Sequence, residues 1–378
     1  MRNEILDRQA KAMQAHGLDA MISCSPENVA YATGFVVPTQ PLIRHRHAMV
    51  IVDASASAAL FAVDMEESTI KRREPRVPRR IWREFSDDPM VILASQLTEK
   101  GLAASKIGIE MDYLPVGDFL RLQAALPKAQ FSPCQSILSR LRQIKNAEEI
   151  LLLRRLSLIA DQAITDALTS VKAGDTEMDI AGHLTRNIYE LGAEQFKLLI
   201  IATGDRSRLP NVGPTTRKLV RGDVCRTEIF AIIDGYQAGV CRTAVVQEAP
   251  PMAEEIWKHL IECKYEIMAM VKPGASCREI YDAFIKRLAK ANLPPISFVG
   301  HGIGLRVHEE PYLGKAAIIG QANSDALVEE NMVLGFEPLC YETGYGYGMQ
   351  NKDMLLVNAN GSELLSNYTD TDRLLVVK

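Results

Sequence analysis

Residues 224–246 read VCRTEIFAIIDGYQAGVCRTAVV. Two runs suited to burial, 224–233 and 236–246, flank Asp234-Gly235, and Asp-Gly supplies the positive φ angles that a two-residue hairpin turn requires. The stretch predicts an antiparallel strand pair. Working outward, Asn146 can cap a long helix with Glu148 and Glu149 in its first turn, and Ala173-Gly174 closes it. Helical spacing recurs at 176–192, 250–271 and 276–291, between the strand-like FKLLIIATG (196–204), MVLGFEPLCYE (332–342) and GYGMQNKDMLLVN (346–358). The carboxy-terminal part is therefore expected to be an α+β domain, an antiparallel sheet with flanking helices.

Upstream, a helix over 3–16 leads into a strand at Ala20 to Ser23, a Ser-Pro-Glu-Asn turn and a short helix. Strand and helix signals then alternate through HAMVIVD (47–53), AALFAVD (58–64), SKIGIEMD (105–112), VGDFLRLQAAL (116–126) and AQFSPC (129–134), the pattern of a smaller α/β domain with a mixed sheet. The boundary falls near 138–146, which gives an amino-terminal domain over 1–140 and a larger carboxy-terminal domain over 141–378. No internal repeat is evident in the sequence.

The chain has 378 residues, 43 Lys+Arg against 47 Asp+Glu, and 47% hydrophobic residues, an ordinary globular composition that excludes disorder, collagen and coiled coil. A formal charge of −4 gives no global reason to bind nucleic acid or an anionic membrane. Seven cysteines without a CxxC pair signal neither a disulfide framework nor a zinc module, and the amino terminus lacks the profile of a signal peptide. A cytoplasmic protein with a small-molecule substrate is the expectation.

Chemistry concentrates in FVGHGIGLRVHEEPYLG (298–314), where His301 and His308 stand in a Gly-rich run followed by Glu-Glu-Pro. Glycines let the backbone pass close to a ligand, and a histidine beside a carboxylate is equipped for proton transfer. The plainer reading is a turn whose histidines cap neighbouring elements. Glu337 in VLGFEP, Glu228 in CRTEIFAII and Lys352 in MQNKDMLLV are each a charge set into an apolar strand, and a buried charge must be paired, metal-bound or neutralised.

The order of RLRQIKNAEEI, KAGDTEMDIA, RGDV…DGY…RT, GHGIGLRVHEEP, FEP and KDMLLV resembles the creatinase, prolidase, aminopeptidase P and methionine aminopeptidase superfamily, and SPENVAYATGF resembles the amino-terminal domain of its creatinase and prolidase branch. The resemblance implies a pita-bread carboxy-terminal domain, a smaller α/β amino-terminal domain and a homodimer. Peptidase members hold two divalent ions with two aspartates, a histidine and two glutamates. Carried over by position, those ligands fall on Glu228, Gly239, His301, Glu337 and Lys352. Loss of two carboxylates and gain of an ammonium remove the charge complement of a dinuclear site, so Lys352 is expected to bridge Glu337 and Glu228.

The resemblance to metal-free creatinase then implies a metal-independent hydrolase of a C–N bond in a small carboxylate-bearing metabolite, with no metal and no other cofactor. In that reading His308, His301 and Glu337 are catalytic. Substrate would be held by Glu228, Lys352, Cys241, Asn211 (where the branch has its upstream base) and, from the loop PLIRHRHAMV (41–50), Arg44 and Arg46. The alternatives are a metal-dependent Xaa-Pro dipeptidase or aminopeptidase, with a mononuclear ion at Glu228, His301 and Glu337, and a non-catalytic or lyase-type member. The basic segment 72–84 reads as an exposed charged stretch.

Overall fold

The protein is described by a computed structural model over residues 2–73, 77–314 and 326–378, so that 74–76 of the basic segment 72–84 lie outside the described residues. The chain divides into two units, 1–142 and 143–378. In the first, helices α1 (Arg2–Ala15), α2 (Pro26–Thr33), α3 (Glu67–Arg73), α4 (Pro89–Glu99) and α5 (Val116–Ala125) accompany strands β1 (Ala20–Ser23), β2 (Met49–Asp53), β3 (Ala58–Val63), β4 (Arg79–Trp82), β5 (Lys106–Ile109) and β6 (Gln130–Pro133), with α6 (Gln135–Gln143) at the boundary. The strands form one mixed sheet in the order β4-β3-β2-β1-β5-β6. Local chemistry sets its elements. Ser25 caps α2 by accepting from Asn28 N, Pro26 starts the helix with its φ already set, and Gly34 ends it at φ 88°.

In the second unit, α7 (Ala147–Thr169) and α8 (Glu177–Glu190) precede β7 (Gln195–Thr203), β8 (Val224–Ile233) and β9 (Tyr236–Val246). Next come α9 (Ala253–Met268), α10 (Cys277–Lys290), β10 (Phe298–Gly302), β11 (Glu309–Gly314), β12 (Val333–Phe336), β13 (Leu339–Cys340), β14 (Met349–Gln350), β15 (Asp353–Asn358), β16 (Gly361–Leu364) and β17 (Leu375–Val377). Asn146 and Glu149 form the capping box of α7. Asp234 and Gly235 turn the β8–β9 hairpin at φ 51° and 85°, and the register runs Ile233↔Tyr236 to Val224↔Val245. Strands β17-β9-β8-β7 make one sheet and β11-β10-β12-β15-β16 another. This is the two-domain α+β architecture expected, with the larger domain second.

An internal repeat, missed in the sequence, is plain in the structure. Residues 171–193 and 271–293 fold alike at an offset of one hundred: Thr176 and Ser276 cap α8 and α10, and Ile180, Leu184 and Ile188 are buried where Ile280, Phe284 and Leu288 are buried. Gly174 N donates to Leu219 O at 2.9 Å and Gly274 N to Val328 O at 2.8 Å. The repeat escapes the sequence because packing preserves size and polarity at each position rather than identity.

A buried ion network ties the second unit together. Arg242 on β9 donates from Nε to Asp161 Oδ1 on α7 at 2.8 Å, its Nη2 lies 2.9 Å from Asp353 Oδ1 on β15, and Lys264 on α9 reaches Asp353 Oδ2 at 2.7 Å. Burial would raise the Asp353 carboxyl, but Arg242 and Lys264 outweigh it and hold it well below the ordinary carboxylate range. Its contribution is therefore complete above that range and lost as acid protonates it. All seven cysteines are free and buried, and among the described residues no helix is long and apolar enough to cross a membrane. Truncating Arg242 leaves two buried aspartates to share one cation, Lys264, and strips Asp161 of its ion pair. Arg242→Leu is expected to lower the unfolding free energy by about 3–5 kcal/mol in urea titrations, whereas a loss below about 1 kcal/mol would show the aspartates satisfied without it.

Candidate metal centre

Strand period places the charged face of β8. Arg226, Glu228 and Phe230 alternate onto one side, and the hairpin register sets Cys241 opposite Glu228 and Gly239 opposite Phe230. Cys241 also pairs with Lys352, each backbone N–H donating to the other's carbonyl at 3.1 Å. That bridge joins the two sheets, while β12 pairs with β10 through Gly335↔His301 and delivers Glu337 just beyond its end.

The side chains converge there. Lys352 Nζ lies 2.8 Å from Glu337 Oε1 and 3.1 Å from Glu228 Oε1, and 4.3 Å from the centre of the Phe230 ring. Burial would lower the Lys352 ammonium, but Glu337 and Glu228 overcome it and hold the amine protonated; burial likewise would raise Glu337, yet Lys352 and His301 keep it a carboxylate. Gln350 Nε2 donates to Glu337 Oε2 at 3.1 Å, so both carboxylate oxygens are engaged.

His301 Nδ1 sits 2.7 Å from the Gly302 carbonyl, which only accepts, so Nδ1 carries the hydrogen. Its Nε2 faces Glu337 Oε1 at 2.9 Å, and two acceptors meet there unless a proton or a cation stands between them. His308 stacks on His301 with ring centres 3.7 Å apart. Burial first, then His301 and Lys352, push the half-buried His308 down to about 3 against the pull of Glu337, so it is neutral at pH 7 with a lone pair free. His301, His308 and Glu337 each offer one ligand atom, all within 4.8 Å of one another.

That donor set passes one test and fails another. Two imidazoles and a carboxylate suit one borderline divalent ion of the zinc class. They do not suit two ions, because Lys352 stands between Glu337 and the neighbouring carboxylate of Glu228.

The remaining sequence candidates are not members of this cluster. Cys241 is fully buried, and burial raises its thiol well above the ordinary range, so it stays protonated. Asn211 is exposed on the loop after β7. Arg46, in the first unit, makes a two-pronged contact with Glu84 at 2.8 and 2.9 Å, and His45 meets the same carboxylate at 3.0 Å. Arg44 is exposed in that loop. Glu309, the first glutamate after His308, is buried against Lys145 at 3.3 Å.

Three functional positions escaped the sequence reading. Arg226 donates to Ser207 O at 3.1 Å, Pro210 O at 3.0 Å and Gln350 Oε1 at 3.0 Å, also contacts Leu209 O, and lies over the Tyr341 ring. It thus links the loop bearing Asn211 to the glutamine that orients Glu337. Arg226 and Gln350 each stand two residues from a flagged charge, so strand alternation from Glu228 and Lys352 could have found them. Gly335 is the third: a Cβ there would lie 3.1 Å from His301 Cε1 and 3.2 Å from Nε2.

Residues 152–359 match metallopeptidase family M24, and residues 6–144 match the creatinase/prolidase N-terminal domain. A curated Xaa-Pro dipeptidase from Pyrococcus furiosus is 27% identical over 99% of both chains. The solved prolidase from Pyrococcus horikoshii is 25% identical with a TM-score of 0.81, covering 97% of this chain and 99% of that one. An Xaa-Pro dipeptidase structure from Bacillus anthracis, 23% identical over 99% of each chain, superposes with a TM-score of 0.83 and shows the same fold.

These likenesses, with the His301–His308–Glu337 cluster, overturn the expectation of a metal-independent, creatinase-like hydrolase without a cofactor, and with it the ranking of peptidase activity below other C–N hydrolysis. The error has a physical source. Counting charges over five aligned positions weighed only the loss of a dinuclear site, whereas the ammonium that bridges Glu337 at 2.8 Å and Glu228 at 3.1 Å still leaves the two histidines and Glu337 within ligand reach of one another.

Gly335→Ala is expected to displace the His301 ring by a few tenths of an ångström. Thermal denaturation should register about 1–3 kcal/mol of overpacking, and divalent-ion affinity should fall with it; unchanged affinity would separate His301 from the ion.

Proposed function

The chain belongs to metallopeptidase family M24, and from that membership we propose that it is a metal-dependent peptidase of the Xaa-Pro dipeptidase or aminopeptidase type. The observation that carries this reading is the convergence of His301, His308 and Glu337 in a chain similar over nearly its whole length to Xaa-Pro dipeptidases. The second unit is the catalytic domain. A homodimer and a peptide substrate follow from the family resemblance. The seven buried free cysteines support a reducing, cytoplasmic setting.

His301 Nε2, a His308 ring nitrogen and Glu337 would hold one divalent ion, which when bound supplies Lewis-acid polarisation of the scissile carbonyl. The chain's own groups prepare that site. The Gly302 carbonyl fixes the His301 tautomer with Nε2 toward Glu337, as partners of metal-binding histidines do. Gln350 and Lys352 hold the Glu337 carboxylate from two sides. Arg226 anchors the 207–210 loop beside them.

Hydrolysis of Xaa-Pro dipeptides, followed by proline release, should vanish on chelation and return with Mn²⁺, Zn²⁺ or Co²⁺. His308→Ala should lower kcat/KM by at least about 100-fold while the far-ultraviolet circular dichroism stays unchanged. Absence of Xaa-Pro cleavage by the folded protein with each of the three ions would end this reading.

A further inference from the structure

We infer that Lys352 is a second cation built into the chain: its ammonium closes Glu228 to metal and limits the centre to a single divalent ion. The one-ion half of this inference rests on the proposed reading of His301, His308 and Glu337 as ligands; the closure of Glu228 does not.

Four observations carry it. First, the ammonium is enclosed by the partners a cation seeks, Glu337 at 2.8 Å, Glu228 at 3.1 Å and the face of Phe230 at 4.3 Å, with Lys352 only 1% exposed. Secondly, the backbone bridge to Cys241 holds Lys352 in register beside β9, at the residue that pairs with Glu228 of β8, so the ammonium is placed by the fold rather than by a mobile arm. Thirdly, position 239 of β9 has no room for a donor side chain. Gly239 faces Phe230 across the hairpin, and a Cβ on Gly239 would run into the Phe230 ring.

The fourth observation is charge. Arg226 Nη1 stands 4.0 Å from Glu228 Oε2, so Glu228, Glu337, Lys352 and Arg226 together are neutral. One divalent ion on the histidine side brings two positive charges that hydroxide or a substrate carboxylate can offset. A second would add two more where both carboxylates are already committed, in a buried setting where unpaired charge is heavily penalised. An ammonium fulfils the second cation's charge role without offering an open coordination position, so every substrate contact with a cation in this centre falls on the ion beside His301 and His308.

The test is a titration of chelator-stripped protein with Mn²⁺, followed by calorimetry and by electron paramagnetic resonance. Wild type should saturate at one equivalent and show an uncoupled single-ion spectrum even at excess Mn²⁺. Lys352→Ala should bind one equivalent more than wild type, and Glu228→Gln added to it should remove that gain. Lys352→Gln, which keeps polar contact with both carboxylates, takes its place if the alanine variant does not fold. Two equivalents or a coupled pair in wild type would overturn the inference, as would a folded Lys352 variant with no gain. Zero equivalents in wild type with one in the Lys352 variant would defeat the proposed peptidase ion while leaving Lys352's role standing.

Discussion

Cys241 and Lys352 exchange backbone hydrogen bonds at 3.1 Å in each direction, and this bridge joins the β8–β9 sheet to the segment that leads into β15. Its consequences run through the covalent register. Cys241 lies opposite Glu228 on the hairpin, so Lys352 arrives beside Glu228; Lys352 precedes Asp353, which pairs with Phe336, so Glu337 arrives on its other side. One residue of slip along β15 would turn Lys352 away and put Asn351 or Asp353 in its place, because side chains alternate faces. The Arg242–Asp161–Asp353–Lys264 network pins that register, since each neighbour of the bridge, Arg242 on one strand and Asp353 on the other, is locked in a buried ion pair. The network that stabilises the domain therefore also aims the site.

The internal repeat explains why the chemistry is lopsided. At the offset of one hundred, His301 corresponds to Ile201 and Cys277 to Glu177. Glu177 is fully buried and accepts from Thr203 N at 2.9 Å, Thr203 Oγ1 at 2.8 Å, Thr215 N at 2.9 Å and Thr215 Oγ1 at 2.7 Å, with Arg206 as counter-ion. The first half thus spends its buried carboxylate on stapling the segment after β7, the segment whose carbonyls Arg226 then grips. The second half keeps a thiol at that position and places its polar investment in His301. Similar backbones carry different burdens, one half a scaffold for the loop and the other the ligands.

Much of this was legible in the residues. Asp234-Gly235 announced the hairpin because few other pairs tolerate two successive positive φ angles, and Asn146 with Glu149 announced α7 because they satisfy each other's backbone donors. Grouping Glu228, His301, Glu337 and Lys352 needed only the family's motif order. What sequence could not supply was direction. Lys352 Nζ meets Glu337 and Glu228 together, against the Phe230 ring that fills the space beside Gly239, and which donors stay within ligand reach of one another around it is decided by that packing. The stacking of His308 on His301 is equally a product of chain path, since the six intervening residues contain two glycines and no regular strand or helix from 303 to 308.

A tethered cation has properties that a dissociable one lacks. The ammonium of Lys352 cannot leave, so occupancy of the Glu228 side is independent of the metal concentration around the protein, and an ion at trace levels must displace a group that is always present. The same tether affects the remaining site through Glu337. Its Oε1 is shared by Lys352 and by the acceptor face of His301, so electron density that a free carboxylate would offer a metal is already drawn toward the ammonium. Against this, Gln350 and Lys352 hold the carboxylate still, and His301 is fixed by the Gly302 carbonyl, so little ordering remains to be done when an ion arrives. The first effect weakens the ion's hold and the second strengthens it. Both effects run through Glu337, the carboxylate that the Lys352 tether and His301 have in common.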